Sequence, residues 1–492
     1  MEQIELSKPT TLSDDALIVM GNVADYATDL ITPTIRLGVT GLSRAGKTVF
    51  ITALIQNLVN GGRLPLFSPM AQGRITSATV TPLAAGTVPE FDYRTHLADL
   101  QDQRVWPAST RSISEIRITV HYESQSFFAR QFGSGKLHID IVDYPGEWLL
   151  DLPLLTKSYA EWSAEALLLS RQPHRAALAE ALHGELAKVD PMAEGPDTEV
   201  VHRLASHFTD YLRAARQDKY ALSLLPPGRF LMPGDMEGSP ALSFAPLELP
   251  VGSRWSKNSL AGLMESRFED YKDSVIRPFF RRHFVRLDRQ VVLVDALNAT
   301  NAGPAALHDL ELALGEILSC FRPGTNSWLS RILTRKIDRI LFAATKADHV
   351  HQSDHGKLQS ILSRLVGNAK QRAHFSGAAT QAIALSSVRA TQEAVAEVDG
   401  DTLPALVGTP AKGQQIDGQT CDGETEFAIF PGDLPESVDE LFPTDPQQTP
   451  PPVAPLNFIR FRPPLRDPES KAALPHIRLD RALEFLLGDK LA

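Results

Sequence analysis

The residues Gly41-Leu42-Ser43-Arg44-Ala45-Gly46-Lys47-Thr48 satisfy every fixed position of G-x-x-x-x-G-K-[ST]. Each type has a task in phosphate chemistry. Gly41 and Gly46 permit a tight loop, so the backbone N–H groups of Ser43, Arg44, Ala45 and their neighbours through Val49 can converge on phosphate oxygens. The helix start that follows adds positive potential. Lys47 is a point charge for β and γ phosphates, and Thr48 offers a hydroxyl to Mg²⁺. Arg44 is the unusual member, because most such loops carry a small residue there. A guanidinium beside the phosphates could act as an arginine finger from within the chain, stabilising charge on the phosphoryl oxygens. Its competing reading is a side chain in solvent or paired with an acidic residue.

Further along, Asp143-Tyr144-Pro145-Gly146 fits D-x-x-G, in which the carboxylate stands near Mg²⁺ and the glycine N–H meets the γ-phosphate. Asp235-Met236-Glu237-Gly238 fits it too, but follows no strand pattern and is set aside as a decoy. Mg²⁺ also calls for a switch threonine just ahead of the strand at 113–122. Thr110 is best placed, with Ser109 and Ser112 as competitors. Glu147 follows Gly146, where many GTPases keep a glutamine to orient the attacking water. A carboxylate there brings negative charge toward the γ-phosphate, so Glu147 is expected to be a poor catalyst turned away with Trp148, or simply a surface glutamate at a helix start.

Thr345-Lys346-Ala347-Asp348 supplies a carboxylate able to accept from N1–H and the exocyclic amine of guanine, groups that adenine does not present. Thr345 stands where asparagine is usual, and Lys346 would lie along the base. Ser386-Ser387-Val388 fits a second base loop, with a backbone N–H near Ser387 and Val388 meeting the base oxygen. Such short patterns are weak singly. Their order along the chain is the strong signal.

Each motif needs a strand end to hold it. Ile35–Thr40 reads as a strand before the glycine loop and VFITALIQNLV as the helix after it. ISEIRITVHY (113–122) and LHIDIVDY (137–144) read as neighbouring strands. QVVLVDAL (290–297), DRILFAATK (338–346) and AIALSSV (382–388) are apolar runs suited to central parallel strands. This alternation predicts an α/β fold: a P-loop NTPase, of G-domain type, with a mostly parallel sheet plus a large, mainly helical insertion. The expected divisions are an N-terminal helical segment (1–30), the first part of the G domain (31–146) and the helical insertion (147–289). The second part of the G domain (290–406), a flexible surface loop (407–455) and a C-terminal segment and helix on the G domain (456–492) follow. Residues 61–112 read as irregular.

Lys and Arg total 49 against 59 Asp and Glu, a net charge of −10 that argues against general nucleic-acid binding. Two cysteines, Cys320 and Cys421, cannot build a disulfide framework and suit a reducing cytosol. The first residues carry no secretory pattern, and no apolar run is long enough to span a bilayer. The expectation is a cytoplasmic chain, at most peripheral to a membrane. His349, His351 and His355 read as solvated or capping residues rather than metal ligands.

Taken together, GLSRAGKTVF, WPASTRSISEIRI, DIVDYPGEWLLDLPLL, PPGRFLMPGDMEGSPAL, VVLVDALNA, ATKADHVH and the C-terminal FRPP and LPHIRLDRALEFLLGDKL resemble the YcjX-type family of bacterial P-loop GTPase-like proteins, over nearly the whole chain. The resemblance implies a G domain with a helical insertion, guanine-nucleotide binding (GTP or GDP), a stress-associated role and a link to a neighbouring integral-membrane protein. The residues themselves favour a Mg²⁺-dependent, slow GTPase, with self-association or a partner as the means of pressing Arg44 inward. They leave open an ATPase of the same fold, a nucleotide-binding scaffold with negligible turnover, and a structural protein with a vestigial loop.

Overall fold

The computed structural model describes residues 32–42, 44–83, 88–125, 135–250, 252–319, 337–368, 370–371, 377–398, 401–416, 418–442, 458–465 and 473–492. The N-terminal segment 1–30, Ser43, Cys320 and the proline-rich tract at 443–457 lie outside these.

Seven strands form one sheet: β1 (Thr34–Gly41), β2 (Ile75–Thr81), β3 (Ser114–Tyr122), β4 (Gly135–Asp143), β5 (Arg289–Val294), β6 (Arg339–Ala344) and β7 (Ala379–Ala384), in the order β2-β3-β4-β1-β5-β6-β7. Pairing is parallel from β4 through β7, while β2 and β3 are antiparallel additions at one edge. The apolar runs of β5 and β6 reflect helices on both faces, which leave no solvent side for polar alternation. Helix α1 (Lys47–Val59) buries Phe50, Ile51, Leu54 and Leu58 in the same core as Leu37 and Val39 of β1. A C-terminal helix, Leu479–Leu487, adds Leu479, Leu483, Leu486 and Leu487 to that core. The fully buried Arg289 of β5 locks its end, with a bidentate contact to Asp489 at 2.6 and 2.7 Å.

Two regions differ from the sequence reading. β2 lies within the stretch read as irregular. Its segment ITSATVT buries only Ala78, so no apolar period marks it. Over its described part, the stretch 407–455 is not a plain surface loop: its β12 (Phe427–Ile429) pairs with β9 (Asp401–Gly408), which pairs in turn with β8 (Gln392–Val398) in a second, three-stranded antiparallel sheet begun before residue 407, and β10 (Gln415–Ile416) and β11 (Gln419–Thr420) pair as a short hairpin. A satellite core of Ala390, Leu406, Ile429 and Phe461 holds that sheet. Four apolar residues drawn from distant segments leave no periodic trace in any one of them.

Between β4 and β5 the chain is helical. It opens on a buried 3₁₀ stretch, Gly146–Thr156, followed by longer helices at Tyr159–Ser170, Thr198–Ala215 and Leu260–Tyr271. Their core is aromatic: Trp162 stacks on Phe268 at 5.2 Å and meets Phe208 and Phe244 edge-on. Val142 and Tyr144 belong to the same core, so the insertion is packed continuously onto the end of β4.

Candidate nucleotide-binding site

A cleft of about 290 Å³ lies at the carboxyl ends of the parallel strands. β1 is flanked there by β4 on one side and β5 on the other, the point at which the strand order reverses. Its lining includes Arg44–Val49 at one end and Thr345, Lys346, Asp348, Ser387 and Val388 at the other. Thr110 lines the same cleft, carried by the segment Trp106–Thr110.

At the first end, Gly46 adopts φ 82°, a conformation that would strain any side chain, and α1 starts at the next residue. A Cβ on Gly146 would fall 1.7 Å from the Gly41 carbonyl oxygen, so the D-x-x-G turn rests directly on the glycine loop. Lys47 Nζ donates to the Gly41 carbonyl at 3.1 Å. The Thr48 and Thr110 hydroxyls stand 3.2 Å apart, and Thr110 donates to Asp143 Oδ2 at 2.6 Å. Three residues expected around Mg²⁺ thus form one continuous chain. Asp143 Oδ1 is buried and has no hydrogen-bond partner among the described residues. Burial pushes the Asp143 carboxyl up, opposed by the nearby Lys47 ammonium and the Thr110 hydroxyl. One carboxylate and two hydroxyls beside a phosphate-binding loop are a hard oxygen set of the kind that holds Mg²⁺ together with phosphate oxygens. Thr48, Thr110 and Asp143 therefore fit that ion. Among the described residues there is no separate cluster of His, Cys, Asp and Glu suited to a metal.

At the other end, the Thr345 N–H donates to the Val294 carbonyl at 2.9 Å, continuing the β5–β6 ladder. Lys346 then turns left-handed at φ 62°, and its ammonium pairs with Asp295. Asp348 is buried and accepts the Ala390 N–H at 2.8 Å through Oδ2. Ser386 Oγ donates to the Val388 carbonyl at 2.9 Å, shaping the second loop. Ser387 is half-buried and Val388 buried.

The helical insertion reaches the glycine-loop end. Glu147 is no surface glutamate. It is buried, and Arg216, at the C-terminus of the Thr198–Ala215 helix, donates to its Oε1 at 2.6 Å. The following Trp148 carries the Arg229 guanidinium 3.2 Å from its ring centroid and donates to the Met232 carbonyl at 2.8 Å. A Cβ on Gly228 would lie 1.8 Å from the Glu147 carbonyl oxygen, so the insertion clasps this turn closely. Arg44 stands at φ 63° and pairs with Asp218 of the insertion, which also takes Arg460. Of its two expected dispositions, the structure records the pairing with an acidic residue. Burial and the neighbouring Arg460 and Arg216 guanidiniums hold the Arg44 pKa below its usual value.

Several residues at the site had no sequence signal. Phe458 and Arg460 in the cleft lining, and Arg216 and Asp218 of the insertion beside it, belong to no motif and come to the site only through tertiary packing. Of the three histidines, His351 is half-buried and accepts the Ser353 N–H as a cap, and His355 is buried and bonded to the Ala347 carbonyl at 2.9 Å. His349 is half-buried rather than free in solvent, with its ring against Phe458 and Phe461. The decoy Asp235 is exposed, and Arg229 contacts it at 3.4 Å.

Comparison with known families places this arrangement. The profile of the YcjX-like family, DUF463, matches residues 35–491. The chain belongs to that family. It is 38% identical over 471 residues to "Ras-like GTPase YcjX" of Escherichia coli (strain K12), covering 93% of this chain and 96% of that protein. A protein of the same name from Shewanella oneidensis is 34% identical over 485 residues, covering 93% and 94% of the two chains. Among the described residues, no helix is long and apolar enough to cross a membrane.

Proposed function

We propose that this chain binds GTP and GDP together with Mg²⁺ and hydrolyses GTP slowly, as a nucleotide-dependent switch. The supporting observation is the Thr48–Thr110–Asp143 chain beside Lys47, at the opposite end of one cleft from Asp348. Mg²⁺ in that position would neutralise charge between the β and γ phosphates. Lys47 would leave the Gly41 carbonyl to meet the phosphates. Thr110 would follow the γ-phosphate, which makes the segment before β3 the switch. Asp348 would accept from the guanine edge and Lys346 lie along the base, with the N–H groups near Ser387 and Val388 toward the base oxygen.

Slow turnover follows from what surrounds the catalytic candidates. Glu147 is tied to Arg216 and Arg44 to Asp218, so neither is presented to a γ-phosphate without giving up an ion pair. A guanidinium delivered to the transition state is worth about 10³–10⁵ in rate. Arg44 would supply it after leaving Asp218, on self-association or on binding a partner, and basal hydrolysis would then rise with protein concentration. The same ion pairs favour a second reading, a nucleotide-binding scaffold with negligible turnover.

The test is calorimetric titration of the full chain with GDP, GTP, ADP and ATP, with and without Mg²⁺, followed by phosphate release over a protein concentration series. Tight, Mg²⁺-dependent binding confined to the guanine nucleotides is expected. Equal affinity for ADP and GDP would overturn guanine recognition, and turnover fixed at the uncatalysed rate at every concentration would leave the scaffold.

A further inference from the structure

The short strap Phe458–Pro463 contributes Phe458, Arg460 and Phe461 to the cleft, and no nucleotide motif accounts for it. The Phe458 ring stacks on the His349 imidazole, centroids 5.2 Å apart and planes 26° from parallel. Phe461 meets the same imidazole edge-on at 5.6 Å. Burial pushes the His349 pKa down, so the imidazole is a neutral, flat partner. Lys346 Nζ lies 5.6 Å from the Phe458 centroid. The aromatic stack therefore begins at the residue after Asp348 and touches the lysine two before it, both in the loop assigned to the base.

The strap that carries the ring is held in place from outside. Trp106 Nε1 donates to the Phe461 carbonyl at 2.7 Å, and Arg104 Nε to the Pro463 carbonyl at 3.1 Å. Arg462 donates back to the Arg104 carbonyl at 3.2 Å and the Gly423 carbonyl at 2.6 Å. Backbone bonds from Ala411 to Arg460 and from Arg462 to Thr409 fasten the strap to the three-stranded sheet. Such fastening limits the ordering cost that a ligand would otherwise bear on binding.

We propose that Phe458 is the stacking wall of the purine site, a binding residue brought by the C-terminal strap to the guanine-nucleotide cleft proposed above, on which this inference rests. Every base has a π-face, so an aromatic wall adds affinity without choosing the base; the choice stays with Asp348. The strap is fastened to the segment 99–107 that leads to Thr110, so the wall and the switch share one support.

The experiment compares wild type, Phe458→Ala and Phe458→Tyr, each checked for an unchanged melting temperature, in titrations with GDP and with base-free tripolyphosphate. Phe458→Ala should weaken GDP about five- to 150-fold, the range of a lost base–aromatic stack, mainly through faster dissociation. Tripolyphosphate affinity should not move, and Phe458→Tyr should bind GDP as wild type does. Wild-type GDP affinity in the folded alanine variant would overturn the proposal. So would tighter GDP binding, which would make the ring a plug, or an equal loss of tripolyphosphate, which would make its role structural. A wild type that binds no GDP would instead defeat the reading of the whole cleft, and this wall with it.

Discussion

The two ends of the cleft, proposed above to take the phosphates and the base, are built differently. At the phosphate end, the glycine loop, Thr48, Thr110 and Asp143 come from β1, α1, the approach to β3 and the end of β4, and they meet within single hydrogen bonds. At the base end, Asp348 and Ser387 come from loops after β6 and β7, and a wall is added by a strap far along the chain. The phosphate end is also where the helical insertion intrudes. Arg216 holds Glu147 and Asp218 holds Arg44, whereas the base end faces the small three-stranded sheet. On the proposed reading the contrast is a division of labour: both ends would bind the nucleotide, while Arg44 and Glu147, the candidates for accelerating chemistry, are engaged by a different part of the molecule.

The largest effect should come from the phosphate end. Lys47→Ala removes a charge in a buried loop, where each charge-assisted hydrogen bond is worth about 1.5–3 kcal/mol. GDP affinity by calorimetry should fall about a hundredfold or more, with the fold retained by circular dichroism. Retention of wild-type affinity would remove the phosphate end from the comparison.

Next is the base end. Asp348→Asn should weaken GDP by about 10²–10³ and turn preference toward xanthosine diphosphate, because the new amide donates where guanine also donates. Equal losses for GDP and xanthosine diphosphate would mean that Asp348 acts through the Ala390 N–H it anchors rather than through the base.

A smaller, kinetic pair tests the intrusion of the insertion. Arg44→Ala should lower GTP turnover by about tenfold or more at high protein concentration with GTP affinity unchanged. Asp218→Ala, which frees the guanidinium, should raise turnover several-fold, roughly 1 kcal/mol in the barrier. Glu147→Ala should change turnover less than Arg44→Ala does. A hundredfold loss in Glu147→Ala would make that carboxylate the water-orienting group despite its ion pair.

The smallest effect concerns the insertion alone. Asp151 is buried, accepts from Tyr271 Oη and the Gly228 N–H at 2.7 Å each, and burial pushes its pKa up to about 7 from 3.8. The folded state therefore binds its proton more tightly than the unfolded chain does. The resulting stability is complete below about 3.8 and is lost as pH rises through about 7. Buried Asp143 adds a slope of the same sign. Asp151→Asn should flatten the fall in melting temperature between pH 5 and 8 by a few degrees, roughly the scale of 1 kcal/mol in a domain of this size. An unchanged slope would mean that Asp151 is charged in the folded state.

The frame of the protein is readable in its local sequence patterns. Gly46 before a helix, Asp143 closing β4, Asp348 after β6 and Ser387 after β7 were legible because each motif sits at the end of a near-continuous apolar run, and local periodicity marks such strands. Thr110 could be placed from its position ahead of β3 alone. What escaped depends on contacts between distant segments. β2 buries one alanine, and the second sheet rests on a few residues gathered from afar, so neither has a local period. Three features arise from tertiary packing: Glu147 is covered and paired, Arg44 meets Asp218, and Phe458 stands beside the loop of Lys346 and His349. Those pairings depend on how the insertion and the C-terminal strap pack against the sheet, and packing of remote segments leaves no mark at short range in the chain.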